Sequence, residues 1–217
     1  QPAPPEVNVW WAMLTSSTMW LIAGQQFCRG AGYFFFQSWF PTYLQEARGM
    51  TLEKSGTFTS LMFIAALFGA LLGGFVSDWI LVRTGSRRAA KQGVAIFGLL
   101  GASALAVAAC FARSPDPAVG VLAAGSFCAS LAGPAGYSIT IDVAGRNTAT
   151  IFGAMNMSGN IGAAIFPLAV ATLLSLAERG QFVERYGVSG WDLVLFAFAG
   201  VYFLGALCWM FLNPHRP

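Results

Sequence analysis

The chain has 217 residues, of which 56% are hydrophobic and only 10% are charged, and its formal net charge is +3. Soluble domains carry about 25% charged residues, so this composition excludes a soluble globular domain and indicates a protein embedded in a lipid bilayer. A charge balance this close to neutral gives no reason to expect a nucleic-acid partner.

Six segments are long and apolar enough to span a membrane as helices, which need roughly 20 residues to cross the hydrocarbon. We favour helices over a β-barrel because barrel strands are about 10 residues long and alternate in polarity, whereas these segments are continuous and about twice as long. We therefore predict an all-α, polytopic membrane protein: a linker at 1–17, a six-helix transmembrane bundle at 18–212 and a cytoplasmic tail at 213–217. The predicted spans are 18–44, 57–81, 92–112, 118–141, 149–176 and 193–212.

The first span contains an arginine among apolar and aromatic residues, in the stretch QQFCRGAGYFFFQSWFPTYLQE at 25–46. At 100° per residue, Gln25, Gln26, Arg29, Tyr33 and Gln37 fall within an arc of roughly 120°, which makes one polar helix face. Arg29 is predicted to lie about 17 Å deep, near the bilayer midplane. A charge at that depth indicates contact with a cavity or a partner.

The connection between the second and third spans, VRTGSRRAAK, has the densest basic cluster of the sequence. Lysine and arginine are retained on the cytoplasmic side of membranes, so this loop is predicted to be cytoplasmic. With six spans, both termini are then cytoplasmic as well.

The later spans differ in polarity. The third and sixth are nearly free of polar residues and are predicted to face lipid or other apolar helices. The fourth, which is broken by GPAG at 133–136, and the fifth, which has Asn156 and Asn160, are predicted to line an aqueous space together with the first. Small residues such as Gly69, Gly73 and Gly159 are expected to let helices approach closely.

The loop after the second span resembles the signature of the major facilitator superfamily. Four residues, 79–82, separate the signature aspartate from its first basic residue, where family members have a basic residue at once. The stretches 25–49 and 146–167 resemble the seventh and eleventh helices of the superfamily's anion:cation symporters. The matching loop residues are Gly74, Asp78, Arg83, Gly85, Arg87 and Arg88.

This resemblance implies the C-terminal half of a twelve-helix secondary transporter, with the N-terminal six-helix half as a partner missing from this chain. The expected substrate is a small organic anion, a carboxylate or sugar acid, coupled to H⁺ or Na⁺ by alternating access. The expected location is the cell membrane, the inner membrane if the source is bacterial. In the family, the proton-coupling carboxylates lie mainly on the other half.

Four residues are predicted to bind the substrate: Arg29, Tyr33, Gln37 and Asn156. The family resemblance implies that Arg29 holds a carboxylate, for which a guanidinium fork is well suited. Two alternatives remain for Arg29: an ion pair with the missing half, or a side chain that extends to the membrane surface. Tyr33 and Gln37 can instead simply face water, and Asn156 can bond across helices.

Other function classes remain open at this point. An intramembrane hydrolase needs a nucleophile with a base or a metal centre, but the single histidine, His215, lies in the tail and the four cysteines lie inside spans. We therefore expect no enzyme activity, cofactor, metal site or disulfide. A half-transporter subunit or a non-transporting membrane scaffold is the remaining alternative.

Overall fold

The computed structural model describes residues 9–112, 114–180 and 188–212. The first eight residues of the predicted linker and the whole predicted tail, including His215, lie outside this part of the chain. The described residues form helices joined by short turns and contain no strand. In chain order the helices are α1 (Val9–Thr15), α2 (Ser17–Ser38), α3 (Phe40–Glu46), α4 (Leu52–Thr84), α5 (Val94–Cys110), α6 (Pro115–Ala144), α7 (Thr148–Arg179) and α8 (Gly190–Phe211).

The first predicted span is divided into two helices at Trp39. Pro41 occupies the first turn of α3, and it has no backbone N–H to donate to the carbonyl of Gln37 one turn earlier. The helix therefore ends at Ser38 and a new one begins at Phe40. A short helix, α1, also forms within the segment predicted as a linker.

The longest helices end where the sequence supplies a specific stop signal. Gly85 follows α4 in the left-handed conformation, with φ of 64°, which only glycine adopts without strain. Gly145 has φ of 51° and lies in a one-turn 3₁₀ helix between α6 and α7. The chain reverses there, since Tyr137 stacks on Phe152 with ring centroids 5.4 Å apart.

The chain is a multi-pass helical membrane protein, as predicted. Within the described residues, four helical segments are long and apolar enough to cross a membrane: Leu52–Thr84, Arg88–Cys110, Pro115–Arg179 and Gly190–Phe211. The third of these contains both α6 and α7. The remaining long helix, α2, is more polar because it carries Gln25, Gln26, Arg29 and Gln37. It packs against α7 and α8 and is the sixth long helix of the bundle.

Small residues set the distances between neighbouring helices. A Cβ atom on Gly73 would lie 2.7 Å from Cα of Leu131 on α6, and one on Gly159 would lie 3.1 Å from the Gln26 side chain on α2. Gly69 makes a similarly close approach to the backbone of Phe127. The predicted role of these glycines in helix packing is therefore confirmed.

An aromatic core explains the run of phenylalanines in the first span. Phe35, Phe36 and Phe40 are buried. Phe35 and Phe36 pack on Phe198 of α8, and Phe40 packs on Phe36. Phe166 of α7 meets Phe35 edge to face, with centroids 6.4 Å apart. These contacts hold α2, α7 and α8 together and orient the opposite, polar face of α2 away from the core.

The GPAG sequence at 133–136 does not break its helix. The fourth predicted span is the continuous helix α6, and Pro134 lies inside it. A proline removes only one hydrogen bond from a helix, and the small neighbours Gly133, Ala135 and Gly136 leave room for its ring. The prediction of a break at this point was wrong, and Pro167 is likewise contained within α7.

Candidate functional site

A cavity of about 880 Å³ lies among α2, α4, α6 and α7. Arg29, Tyr33 and Gln37 enter it from α2, and Asn156 enters it from α7. All four predicted binding residues therefore line one space, although their roles remain predictions. Tyr33, Gln37 and Asn156 are exposed within the described chain, so their polar groups are free to meet a bound molecule.

The helical periodicity of α2 explains why these side chains converge. Gln26, Arg29, Tyr33 and Gln37 follow one another at intervals of three or four residues and all reach the cavity. Gln25, at the edge of the same polar arc, is fully buried and faces Gly136 of α6, with no hydrogen-bond partner for its amide among the described residues. The polar face thus divides into a cavity side and a helix-contact side.

Within the described residues, both hydrogen-bond partners of Arg29 are neutral. Its Nε donates to Oε1 of Gln26 at 3.3 Å, and its Nη2 donates to the hydroxyl of Tyr137 at 3.2 Å. Its guanidinium carbon lies 5.3 Å from the centroid of the Tyr137 ring, within cation–π range. Arg29 forms no ion pair with any described carboxylate, so its charge is not neutralised within this part of the chain.

Helix α6 is shaped to receive the guanidinium. A Cβ atom at Gly133 would lie 2.6 Å from Nη1 of Arg29, so any larger residue there would push the guanidinium away. Tyr137 follows one turn later and is stacked on Phe152 of α7. The sequence signalled Tyr137 only as one of several polar residues on the fourth span; its contact with Arg29 bridges 108 positions of sequence.

A second arginine, Arg48, shows what a structural arginine looks like in this protein. It donates to the carbonyl of Ala112 at 2.8 Å, to that of Ala109 at 3.0 Å and to the hydroxyl of Tyr43 at 2.8 Å. The carbonyls lie at the C-terminal end of α5, where a positive charge is favourable. Arg48 thus ties α3 to α5, whereas Arg29 faces a cavity with two longer hydrogen bonds.

One wall of the cavity was not predicted. Helix α4 contributes Phe63, Ala66, Leu67 and Ala70, and Phe63 meets the Tyr33 ring edge to face at 5.9 Å. An apolar residue that lines a cavity cannot be told from one that faces lipid by composition alone. In agreement with prediction, no described residue of α5 lines the cavity, and α8 contributes only the buried Tyr202.

The predicted loop signature lies at the end of α4 and in the turn that follows it. Two ion pairs connect the residues after α4 to the end of α6. Lys91 Nζ and Arg87 Nη1 lie 2.5 Å and 3.6 Å from Oδ2 of Asp142, at the end of α6. The signature aspartate, Asp78, is exposed and makes no hydrogen bond or ion pair within the described residues.

The other signature residues have separate surroundings. Arg83 lies over the Trp79 ring, with its guanidinium carbon 5.3 Å from the ring centroid. Gly85 ends α4, Gly74 packs near Pro134, and Arg88 is exposed.

Replacing Asp142 by asparagine is expected to destabilise the purified chain by about 2 kcal/mol, because Lys91 is only 8% exposed and would lose its counter-charge. The measurement is the thermal unfolding midpoint in detergent. Asp78→Asn is the matched control and should change the midpoint little. A larger loss for Asp78→Asn than for Asp142→Asn would contradict this assignment of the ion pairs.

Comparison with known proteins places these helices in a family. The model of the Major Facilitator Superfamily matches residues 26–217. The probable sulfoacetate transporter SauU of Cupriavidus necator is 33% identical over 196 residues, which are 90% of this chain and 43% of the relative. The probable galactarate/D-glucarate transporter GudP of Escherichia coli K12 is 32% identical over 150 residues, covering 69% of this chain and 33% of the relative.

A plant protein shows the same pattern of coverage. The chloroplastic ascorbate transporter of Arabidopsis thaliana is 23% identical over 206 residues, which are 95% of this chain and 36% of that protein. The chain therefore spans less than half the length of each of these curated relatives.

Proposed function

Because the chain belongs to the major facilitator superfamily, we propose that its six helices form one half of a secondary transporter for a small organic anion. The observation that carries this proposal is Arg29: a permanent charge near the middle of α2, facing a cavity of about 880 Å³ and paired with no described carboxylate. A charge at membrane depth without a partner is costly. An anionic substrate supplies the missing partner and gains a bidentate contact in return.

The chemistry of the relatives agrees with this role for Arg29. Sulfoacetate, galactarate and D-glucarate, which appear in the relatives' names, all carry acidic groups that are ionised at neutral pH. Tyr33, Gln37 and Asn156 offer neutral hydrogen-bonding groups in the same cavity. We propose that Arg29 holds an anionic head and that these three residues contact the rest of a carboxylate or sugar acid.

The cavity is incomplete in this chain alone. Tyr33, Gln37, Asn156 and Asn160 are exposed, and polar side chains at membrane depth require water or protein around them. We propose that an N-terminal six-helix half covers this face, so that rocking of the two halves gives alternating access. A second copy of the six-helix unit is the alternative partner, and uptake by purified dimers would favour it.

The coupling ion is proposed to be H⁺ or Na⁺. None of the described residues that line the cavity is acidic, so none of them offers a carboxylate to carry a proton beside Arg29. The carboxylates that couple transport are therefore assigned to the partner half. Uptake driven by a proton gradient alone and by a sodium gradient alone distinguishes the two ions.

The orientation in the cell membrane is a further part of the proposal. We propose that the α4–α5 loop, and with it both termini, is cytoplasmic, because the basic cluster around Arg87 and Arg88 favours that side of the membrane.

Single cysteines at Ala47 and Ala89, which are both exposed alanines outside the α-helices, are expected to react with an impermeant reagent from opposite sides of the membrane. The cysteine-free protein produced from its native gene is the background for both variants, and labelling is measured in intact cells and in inverted vesicles. Labelling of Ala89→Cys in intact cells would reverse the proposed orientation.

The experiment that tests the function is radiolabelled uptake into proteoliposomes that contain the protein produced from its native gene. D-Glucarate, galactarate and sulfoacetate are the probes, and neutral D-galactose is the control. Gradient-driven uptake of at least one of the three acids, without uptake of D-galactose, is expected. Failure to take up any of the three acids would contradict the proposal.

A further inference from the structure

Tyr137 accepts a hydrogen bond from a nitrogen atom that a substrate needs. A guanidinium grips a carboxylate through Nε with Nη2 or through Nη1 with Nη2, and each fork uses one of the two N–H groups of Nη2. In this structure Nη2 donates to the hydroxyl of Tyr137 at 3.2 Å. Nε of the first fork donates to Gln26 at 3.3 Å, and Nη1 of the second is packed against Gly133.

The position of the Tyr137 ring is fixed from behind. It stacks on Phe152 with an interplanar angle of 28° and centroids 5.4 Å apart. The guanidinium of Arg29 lies 5.3 Å from the ring centroid and donates to the ring's hydroxyl. The ring thus contacts both α7 and the charge on α2, and Arg29 is the partner with the longer and more flexible side chain.

We propose that Tyr137 is a positioning residue for Arg29. In the empty site Tyr137 holds the guanidinium against α6 and stabilises the charge of Arg29. When the anionic head of the substrate binds, the Nη2 N–H group leaves the Tyr137 hydroxyl and donates to the anion instead. This inference rests on the proposed function, because it requires an anionic substrate at Arg29. It adds a competition: substrate binding breaks a direct contact between α2 and α6, so occupancy of the cavity changes how two of its walls are joined.

Removing only the hydroxyl separates this role from a structural one. Tyr137→Phe keeps the ring, the stacking on Phe152 and the cation–π contact, but it releases the Nη2 N–H group that the hydroxyl had bound. Since one hydrogen bond is worth a factor of about three to ten, the KM for the transported probe, D-glucarate or sulfoacetate, should fall by that factor with no rise in maximal rate. Tyr137→Leu also removes the ring, so Arg29 loses its support and the KM should rise above the wild-type value.

A measurement without substrate tests the contact itself. In the ligand-free protein produced from its native gene, the unfolding midpoints of wild type, Arg29→Ala, Tyr137→Phe and the double variant form a double-mutant cycle. The two substitutions should be non-additive, because each removes the same hydrogen bond. Additive shifts would overturn the proposed hold on Arg29.

The uptake measurement tests whether the substrate competes with the Tyr137 hydroxyl for Arg29. A KM for Tyr137→Phe equal to or above the wild-type value would overturn the displacement of the hydroxyl by substrate. If wild type takes up neither D-glucarate nor sulfoacetate, the proposed function and the displacement that depends on it both fail, whereas the double-mutant cycle still decides whether Tyr137 holds Arg29. The two failures are therefore distinguishable.

Discussion

Replacing Arg29 by alanine is expected to abolish specific uptake of the organic anion while the protein still folds and inserts. The substitution removes the positive charge that the cavity presents, and alanine cannot replace the guanidinium's parallel hydrogen bonds to an acidic group. Stability should change little, because within the described residues Arg29 makes only two hydrogen bonds, both longer than 3 Å, and forms no ion pair. The measurement is uptake per inserted molecule in proteoliposomes.

Two further variants make this result specific. Arg29→Lys keeps the charge but loses the planar fork, so uptake should persist only weakly. Arg48→Ala is the structural control: it removes three hydrogen bonds, to Tyr43, Ala109 and Ala112, and should lower stability by about 2–4 kcal/mol. Wild-type uptake by Arg29→Ala, or a loss of stability as large as that of Arg48→Ala, would contradict the assigned role.

Monomers of the six-helix unit, residues 1–217, are expected to show no gradient-driven uptake on their own. In the proposed arrangement the unit supplies only half of the cavity's lining, and the exposed side chains of Tyr33, Gln37 and Asn156 lie on the open side. Alternating access needs a second body against which the first one moves. The measurement compares proteoliposomes of purified monomers with empty liposomes and with the protein produced from its native gene.

The oligomeric state of the reconstituted protein decides how a positive result is interpreted. Uptake by monomers would refute the requirement for a second half. Uptake confined to dimers would support a transporter made from two copies of this unit. Cross-linking before reconstitution and size-exclusion chromatography afterwards identify the species that is present.

Periodicity and polarity were sufficient to predict much of this site. The helical repeat placed Arg29, Tyr33 and Gln37 on one face, and in the structure they line one cavity together with Asn156. The near-absence of polar residues from the third span likewise predicted that it faces lipid or other apolar helices, and no described residue of α5 lines the cavity. These features depend on local sequence alone, because a helix fixes the direction of each of its side chains.

The features that were not predicted depend on contacts between distant segments. The Arg29–Tyr137 hydrogen bond joins residues 108 positions apart, and the ion pair of Lys91 with Asp142 joins residues 51 apart. No local pattern specifies either pair. The division of the first span at Trp39 could have been predicted from Pro41, since a proline inside a helix removes a backbone hydrogen bond; the same reasoning failed at Pro134, where α6 continues.

The most direct test of the central claim, that Arg29 holds the anionic head of the substrate, is ligand-induced thermal stabilisation in detergent. D-Glucarate and sulfoacetate are added separately to wild type, Arg29→Ala and Arg29→Lys. A ligand at about 100 times its Kd stabilises the folded state by about 2.7 kcal/mol, so the wild-type midpoint should rise with at least one of the two acids. Arg29→Ala should show no rise and Arg29→Lys a smaller one, whereas a wild-type-sized shift in Arg29→Ala would contradict the account.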